Sequence, residues 1–246
     1  IIMGAIDKAV SISQMPKSKL WVLWGKSGSG KTHMLSTFPK PILYLQYGDD
    51  GTGTIEDTEG IDVIIIEDQK HLETILEEAR IDDKYATVAV DTFSLFVNEW
   101  IDENAVQKKK RVSQQMWGDL KTDTEKLIKM AKTLAAFKIV VLTCHEATDV
   151  IEGMEDEIMP DVRPSVSKGA RTYLESMANF GIHTTVIEKE VEKKDGTTDT
   201  VIRHAAHIAP NPYYWTKLQK PAHIKVPKLV VNPTYDKIMK LMKGEK

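Results

Sequence analysis

The sequence predicts an α/β fold, a mostly parallel sheet flanked by helices, on three observations. A glycine-rich phosphate-binding loop sits between a short apolar run and a helical stretch. Apolar runs of strand length alternate with stretches of helical periodicity over residues 20–143. One of those runs ends in an aspartate about 60 residues after the loop.

The loop is Gly25-Lys26-Ser27-Gly28-Ser29-Gly30-Lys31-Thr32, which matches G-x-x-x-x-G-K-T at every fixed position. Glycines let the backbone turn tightly, so that successive N–H groups face an anion. At this spacing the lysine reaches the β- and γ-phosphates of a nucleotide and the threonine hydroxyl takes a Mg²⁺ position. Gly25 through Thr32, with His33 beside them, are therefore the expected nucleotide contacts. Thr32 is an expected metal ligand, and ATP with Mg²⁺ is the expected cofactor. A Gly/Ser-rich linker can match the pattern by chance. The flanks argue against it, because Leu20–Trp24 reads as a strand and Thr32–Phe38 as a helix ended by Pro39.

Composition sets the bounds. The chain's 246 residues suit one large domain, or one domain with an appendage. Hydrophobic residues at 41% and charged residues at 28% describe a soluble protein with a core of its own. No apolar stretch approaches the roughly 18 residues of a membrane helix, and no signal peptide is evident. Cys144 is the single cysteine, which excludes an internal disulfide and a cysteine-rich zinc site and fits a reducing, cytoplasmic setting. A net charge of −3 means that any nucleic-acid contact must use a local basic patch.

Taken in order, residues 1–19 read as an N-terminal arm, 20–209 as the core and 210–246 as a C-terminal extended tail. Strands are expected at 20–24, 42–46, 62–66, 87–91 and 139–143. The third is continuously apolar, which suggests cover on both faces. Helices are expected at 32–38, 70–80, 93–107 and 114–136. Residues 147–166 read as a long loop or small hairpin, because they carry acids and breaks at Gly153, Pro160 and Pro164. A helix follows at 167–179. A C-terminal β-hairpin, 183–191 with 199–208, turns at Asp195-Gly196. Five prolines leave the tail extended until a short helix at 234–243.

Asp91, at the end of Val88-Ala89-Val90-Asp91, has the Walker B pattern and can hold Mg²⁺ opposite Thr32. The next residue is Thr92, where the AAA+ pattern has glutamate. That departure points to the RecA-like branch. Leu142-Thr143-Cys144-His145-Glu146 ends the fifth strand, and ligands of such sheets lie outside the carboxyl ends of the strands. Thr143 and His145 are therefore expected to face the phosphates. His145 can sense the γ-phosphate there, or be a packed or surface histidine. Cys144 reads as core filler. A carboxylate to position the attacking water is sought among Asp49, Asp50 and Glu67, with Asp50 preferred by position.

GKSGSGKT, DDGT, AVDT, LTCHE and the KGARTYLESMANF helix together resemble phage-encoded RecA-like ATPases. These are the Sak-group single-strand annealing proteins, close to the phage nucleotide-binding protein family. The likeness covers roughly residues 18–220. It implies a RecA-like P-loop NTPase core, dependence on ATP and Mg²⁺, single-stranded DNA binding, and a homo-oligomeric ring or filament. A single-strand DNA-binding protein is a candidate partner, and the host bacterial cytoplasm the location. Lys31, Thr32 and Asp91 match the nucleotide site, and His145 the phosphate-sensing residue. Asp50 stands where the family usually has glutamate. Lys217 matches the first cation of the K-x-R element offered to a neighbouring subunit, whose arginine position is Gln219 here.

RecA-like folds contact DNA through the loops after strands four and five. The first of these holds Lys108, Lys109, Lys110, Arg111 and then Trp117, cations with an aromatic that suit a single strand. A solvated charge run is the competing reading. The second holds Arg163, Lys168 and Arg171 beyond an acidic portion. Three functions are open: a DNA-stimulated annealing or strand-exchange ATPase, an ATP-gated DNA-binding scaffold with negligible hydrolysis, or a small-molecule kinase. A kinase would need an Arg-rich lid, and 147–166 has one arginine.

Overall fold

The computed structural model describes residues 11, 18–48, 52–109, 111–152, 158–192 and 198–245. Asp50, Lys110, most of the N-terminal arm and the Asp195-Gly196 turn lie outside the described residues.

Strand β1 (Lys19–Trp24) shows how the sheet is built. Side chains alternate across a strand. Leu20, Val22 and Trp24 enter one core layer, and Trp21 and Leu23 the other. Both layers are buried, so the central strands are apolar throughout. β2 (Ile42–Gln46), β4 (Thr87–Asp91) and β5 (Ile139–Cys144) are buried at every position. With β3 (Ile61–Ile65) and β8 (Phe180–Glu192) they form a parallel block ordered β8-β1-β5-β4-β2-β3. β9 (Thr198–His207) and β11 (Leu229–Val231) extend it antiparallel beyond β8.

Helices cover both faces. On one side lie α2 (Gln69–Ile81), α3 (Phe96–Ile101), α4 (Gln114–Leu134) and α5 (Lys168–Met177). α2 begins at Asp68, whose carboxylate accepts from the His71 N–H at 2.7 Å, and buries the stripe Leu72, Ile75, Leu76, Ala79. On the other side lie the short α1 (Lys31–Leu35) and α6 (Tyr235–Lys243).

Several expectations need correction. The third strand is not covered on both faces: Val63 and Ile65 are 46% and 65% exposed. β3 is the sheet's edge and bonds only to β2, so an apolar run marked a strand but not its place in the sheet. The predicted helix at 93–107 is a 3₁₀ turn (Phe93–Leu95), then α3, then a π-helical turn (Asp102–Val106). The first helix stops at Leu35. Of the two readings of 147–166, the described residues take the hairpin: β6 (Glu146–Glu152) pairs antiparallel with β7 (Ile158–Pro164), separate from the main sheet.

The tail is not simply extended. β10 (Lys217–Leu218) pairs with β8, and β11 with β9. Tyr235 of α6 packs 5.7 Å from the Trp21 ring and 4.9 Å from the Phe38 ring. Trp215 lies over Gly181, where an added Cβ would stand 2.6 Å from the indole, and its carbonyl accepts from the Trp24 indole N–H at 3.1 Å.

Candidate active site

The loop after β1 turns back at the carboxyl edge of the sheet. Gly25 is required there: φ is +154° and a Cβ would sit 2.2 Å from the Thr184 carbonyl of β8. Ser29 and Thr184 share a 2.7 Å hydroxyl hydrogen bond, so β8 fixes the loop from outside. Lys31 is buried and its ammonium donates to the carbonyls of Gly25 (3.1 Å) and Lys26 (2.9 Å). The loop backbone thus curls around the Lys31 ammonium.

Asp91 is the second anchor. Neighbouring strands converge on its carboxylate, which is 2% exposed. Oδ2 accepts from the Thr32 hydroxyl (2.7 Å) and from the Tyr44 hydroxyl of β2 (2.8 Å). Oδ1 accepts from Thr92 (2.9 Å) and from Thr143 of β5. Four donors hold one carboxylate beside the residue that ends the loop. A buried carboxylate so surrounded keeps its orientation.

The residues fit Mg²⁺. The Thr32 and Asp91 oxygens stand together at the mouth of the loop, one hydroxyl and one carboxylate, the donor set that Mg²⁺ takes when substrate phosphates and waters supply the rest. No cluster of three or more His, Cys, Asp or Glu side chains suited to a metal occurs among the described residues. This site would therefore need its phosphates to complete a metal shell.

A cavity of about 290 Å³ opens over these groups. Ser27, Gly28, Gly30, Lys31, Thr32 and His33 line it from the loop side, and Asp91, Thr92 and His145 from the strand ends. His145 is fixed through its backbone N–H, which donates to Ser94 Oγ at 3.0 Å. Two further residues, Thr54 and His204, complete the lining. No motif in the sequence marks His204. It comes from β9, and only the antiparallel return of the hairpin brings it over the loop. Thr143, expected with His145 to face the phosphates, donates its hydroxyl to the Asp91 carboxylate. Tyr44 and Thr184 carry no signal in the sequence, since strand residues of ordinary type belong to no motif. Cys144 is fully buried, and burial pushes its thiol up to about 12, which suits packing and not nucleophilic chemistry.

The outer side of the loop borders a second cavity, of about 470 Å³. There Glu146 links the loop to the sheet. Its carboxylate is 3.8 Å from the Lys26 ammonium and 3.2 Å from His183 Nε2. The His183 ring is stacked 4.1 Å from Tyr214 and tilted at 43° to Trp24, 4.4 Å away. Burial lowers its pKa, and the Glu146 carboxylate opposes that shift.

The other expected residues are spread more widely. Lys217 does not line the cavity. It pairs with Gly181, which pairs with Val22, three residues before Gly25 and so roughly 10 Å back along the strand. Its ammonium instead donates to the Glu175 and Ser176 carbonyls at the end of α5, both at 3.0 Å. Lys108, Lys109 and Arg111 are exposed on the segment between β4 and α4, and Lys108 donates to Asn104 at 2.9 Å. Trp117 is 50% exposed on α4. Lys168 is exposed at the start of α5, and Arg171 is half-buried one turn on. α5 packs on α4 near this region: an added Cβ at Gly169 would lie 2.9 Å from the Lys121 stem, one turn beyond Trp117.

No curated protein matches the chain. A protein-family model described as an AAA domain matches residues 17–217, although Thr92 stands where the AAA+ pattern has glutamate. With a phosphate loop and a strand-end aspartate joined across a parallel sheet, the chain belongs to the AAA domain family, a nucleotide-binding P-loop NTPase.

Proposed function

We propose that this protein is a Mg²⁺-dependent ATPase of the RecA-like branch that binds single-stranded DNA and promotes annealing or strand exchange as a homo-oligomer. The observation that carries the ATPase reading is Thr32 held on Asp91 at the mouth of the phosphate loop. Lys31 would exchange its loop carbonyls for the β- and γ-phosphate oxygens and neutralise charge that builds there during transfer. Thr32 and Asp91 would hold Mg²⁺. When bound, the ion would supply Lewis-acid polarisation of the phosphoryl oxygens. Tyr44, Thr92 and Thr143 keep the Asp91 carboxylate aimed throughout. His145, at the carboxyl end of β5, would read the γ-phosphate and pass its state to the β6–β7 hairpin that begins at the next residue. Asp50 remains the proposed water-positioning residue.

The DNA reading is supported by the packing of α5 on α4, with Lys108, Lys109, Arg111, Trp117 and Lys168 on these helices or the segment before α4. Charge would follow the phosphates and the exposed indole would stack on a base. A second reading, an ATP-gated scaffold with negligible turnover, is favoured by Lys217, whose ammonium is engaged within its own chain.

ATP hydrolysis measured with and without single-stranded DNA separates the two. DNA-stimulated turnover, abolished in Lys31→Ala, supports the annealing ATPase. ATP binding without turnover supports the scaffold. Turnover indifferent to DNA overturns the recombination reading.

A further inference from the structure

We propose that His204, with His33, holds the nucleoside end of the bound nucleotide, the base packing against the His204 imidazole. The inference rests on the phosphate-loop reading above and extends it to a residue that no motif marks.

Position is the first argument. Thr32 and Asp91 fix the metal and γ-phosphate end of the site on β4. His204 lies on β9, and the order β9-β8-β1-β5-β4 puts it four strand spacings away, roughly 19 Å across the backbone. Both nevertheless reach the same cavity, which therefore runs from the strand-end aspartate past the loop to the hairpin. A triphosphate occupying the loop with its γ end at Asp91 must project its nucleoside toward the other end.

The chemistry at that end is the second argument. The rings of His33 and His204 lie 5.9 Å apart at 30°, and Thr54 faces them from the turn after β2. Planar rings at the open end of a phosphate cradle suit the planar, weakly hydrated face of a base. His204 is also locked in place. Its Nδ1 is buried with no hydrogen-bond partner among the described residues and presses on Gly30, where a Cβ would lie 2.8 Å away. Its carbonyl accepts from the Asn232 N–H at 2.7 Å, which ties β9 to the segment leaving β11. A ring that is packed on one side and lines a cavity on the other is a platform.

The test compares two probes in the presence of Mg²⁺: ATP, and inorganic tripolyphosphate, which has the phosphates and no nucleoside. Calorimetric titration of His204→Ala should show ATP affinity lowered about tenfold or more, the size expected for loss of one base–ring stack. Tripolyphosphate affinity should stay within about twofold of wild type. His204→Phe, which keeps a ring, should restore most of the ATP affinity. Lys31→Ala should weaken both probes. His33 is exposed, so His33→Ala gives the same contrast at smaller size even if His204→Ala fails to fold. Unchanged ATP binding in both histidine variants overturns the proposal, as does an equal loss for both probes. Failure of both probes to bind the wild-type protein overturns the phosphate-loop reading itself, a result distinct from either.

Discussion

Asp91 shows how single residues make this site. Its carboxylate is satisfied by four hydroxyls, from the phosphate loop, from β2 and β5 and from the residue after β4, so its geometry is set before any nucleotide arrives. Thr143→Val keeps the shape and removes one donor to a buried charge, a contact worth about 1.5–3 kcal/mol. Steady-state assays should show turnover down about tenfold and a higher Mg²⁺ requirement. An unchanged Mg²⁺ requirement would mean that Asp91 does not depend on Thr143 for its aim. The motif residues were legible because phosphate binding constrains spacing within a few positions of the chain. Tyr44, Thr184 and His204 were not, because their roles come from strand order, which adjacent residues do not encode.

At the scale of elements, periodicity identified strands and helices well, and their environments less well. β3 reads like β2 in sequence, yet one is an edge and the other buried, because sheet position is decided by the whole topology. The hairpin β6–β7 was one of two readings of an irregular stretch, and it connects the loop to β8 through Glu146 and His183. That connection has a pH signature. Burial holds His183 and His207 below the ordinary imidazole range, so the unfolded chain takes up their protons first. Stability is therefore complete above about pH 6.5 and declines as pH falls through that value toward the lowered folded-state values. The fall in Tm between about pH 7.5 and about pH 5.5 should be smaller in His183→Phe than in wild type. An equal fall would show that His183 is not buried neutral. The basic segment makes an element-scale prediction too. If Lys108, Lys109, Lys110 and Arg111 all meet phosphates, log affinity for single-stranded DNA should fall with log salt at a slope of about −2.8, from roughly −0.7 per contact. Changing all four to glutamine should remove most of that slope, and a slope left intact would place the DNA elsewhere.

For the whole molecule, the last forty residues matter more than their prolines suggest. Prolines do break the tail into short pieces, but two of those pieces add to the sheet and α6 closes the second core layer. Ile238 is fully buried there, so Ile238→Ala should cost about 2–5 kcal/mol in urea unfolding. A cost under about 0.5 kcal/mol would mark α6 as peripheral, since that is the range of ordinary surface changes. Among the described residues no helix is long and apolar enough to cross a membrane. The parallel sheet, its two helical layers and the loop-to-aspartate axis all converge on nucleotide hydrolysis at one edge.

The most direct test is ATP hydrolysis by wild type, Lys31→Ala and Asp91→Asn, with Mg²⁺ and with chelator. Measurable turnover is predicted for wild type with Mg²⁺ alone, falling about 10²–10³-fold in each variant, the loss typical of removing one group that stabilises transition-state charge. Turnover that persists in Lys31→Ala, or that ignores chelator, would contradict the assignment of this site.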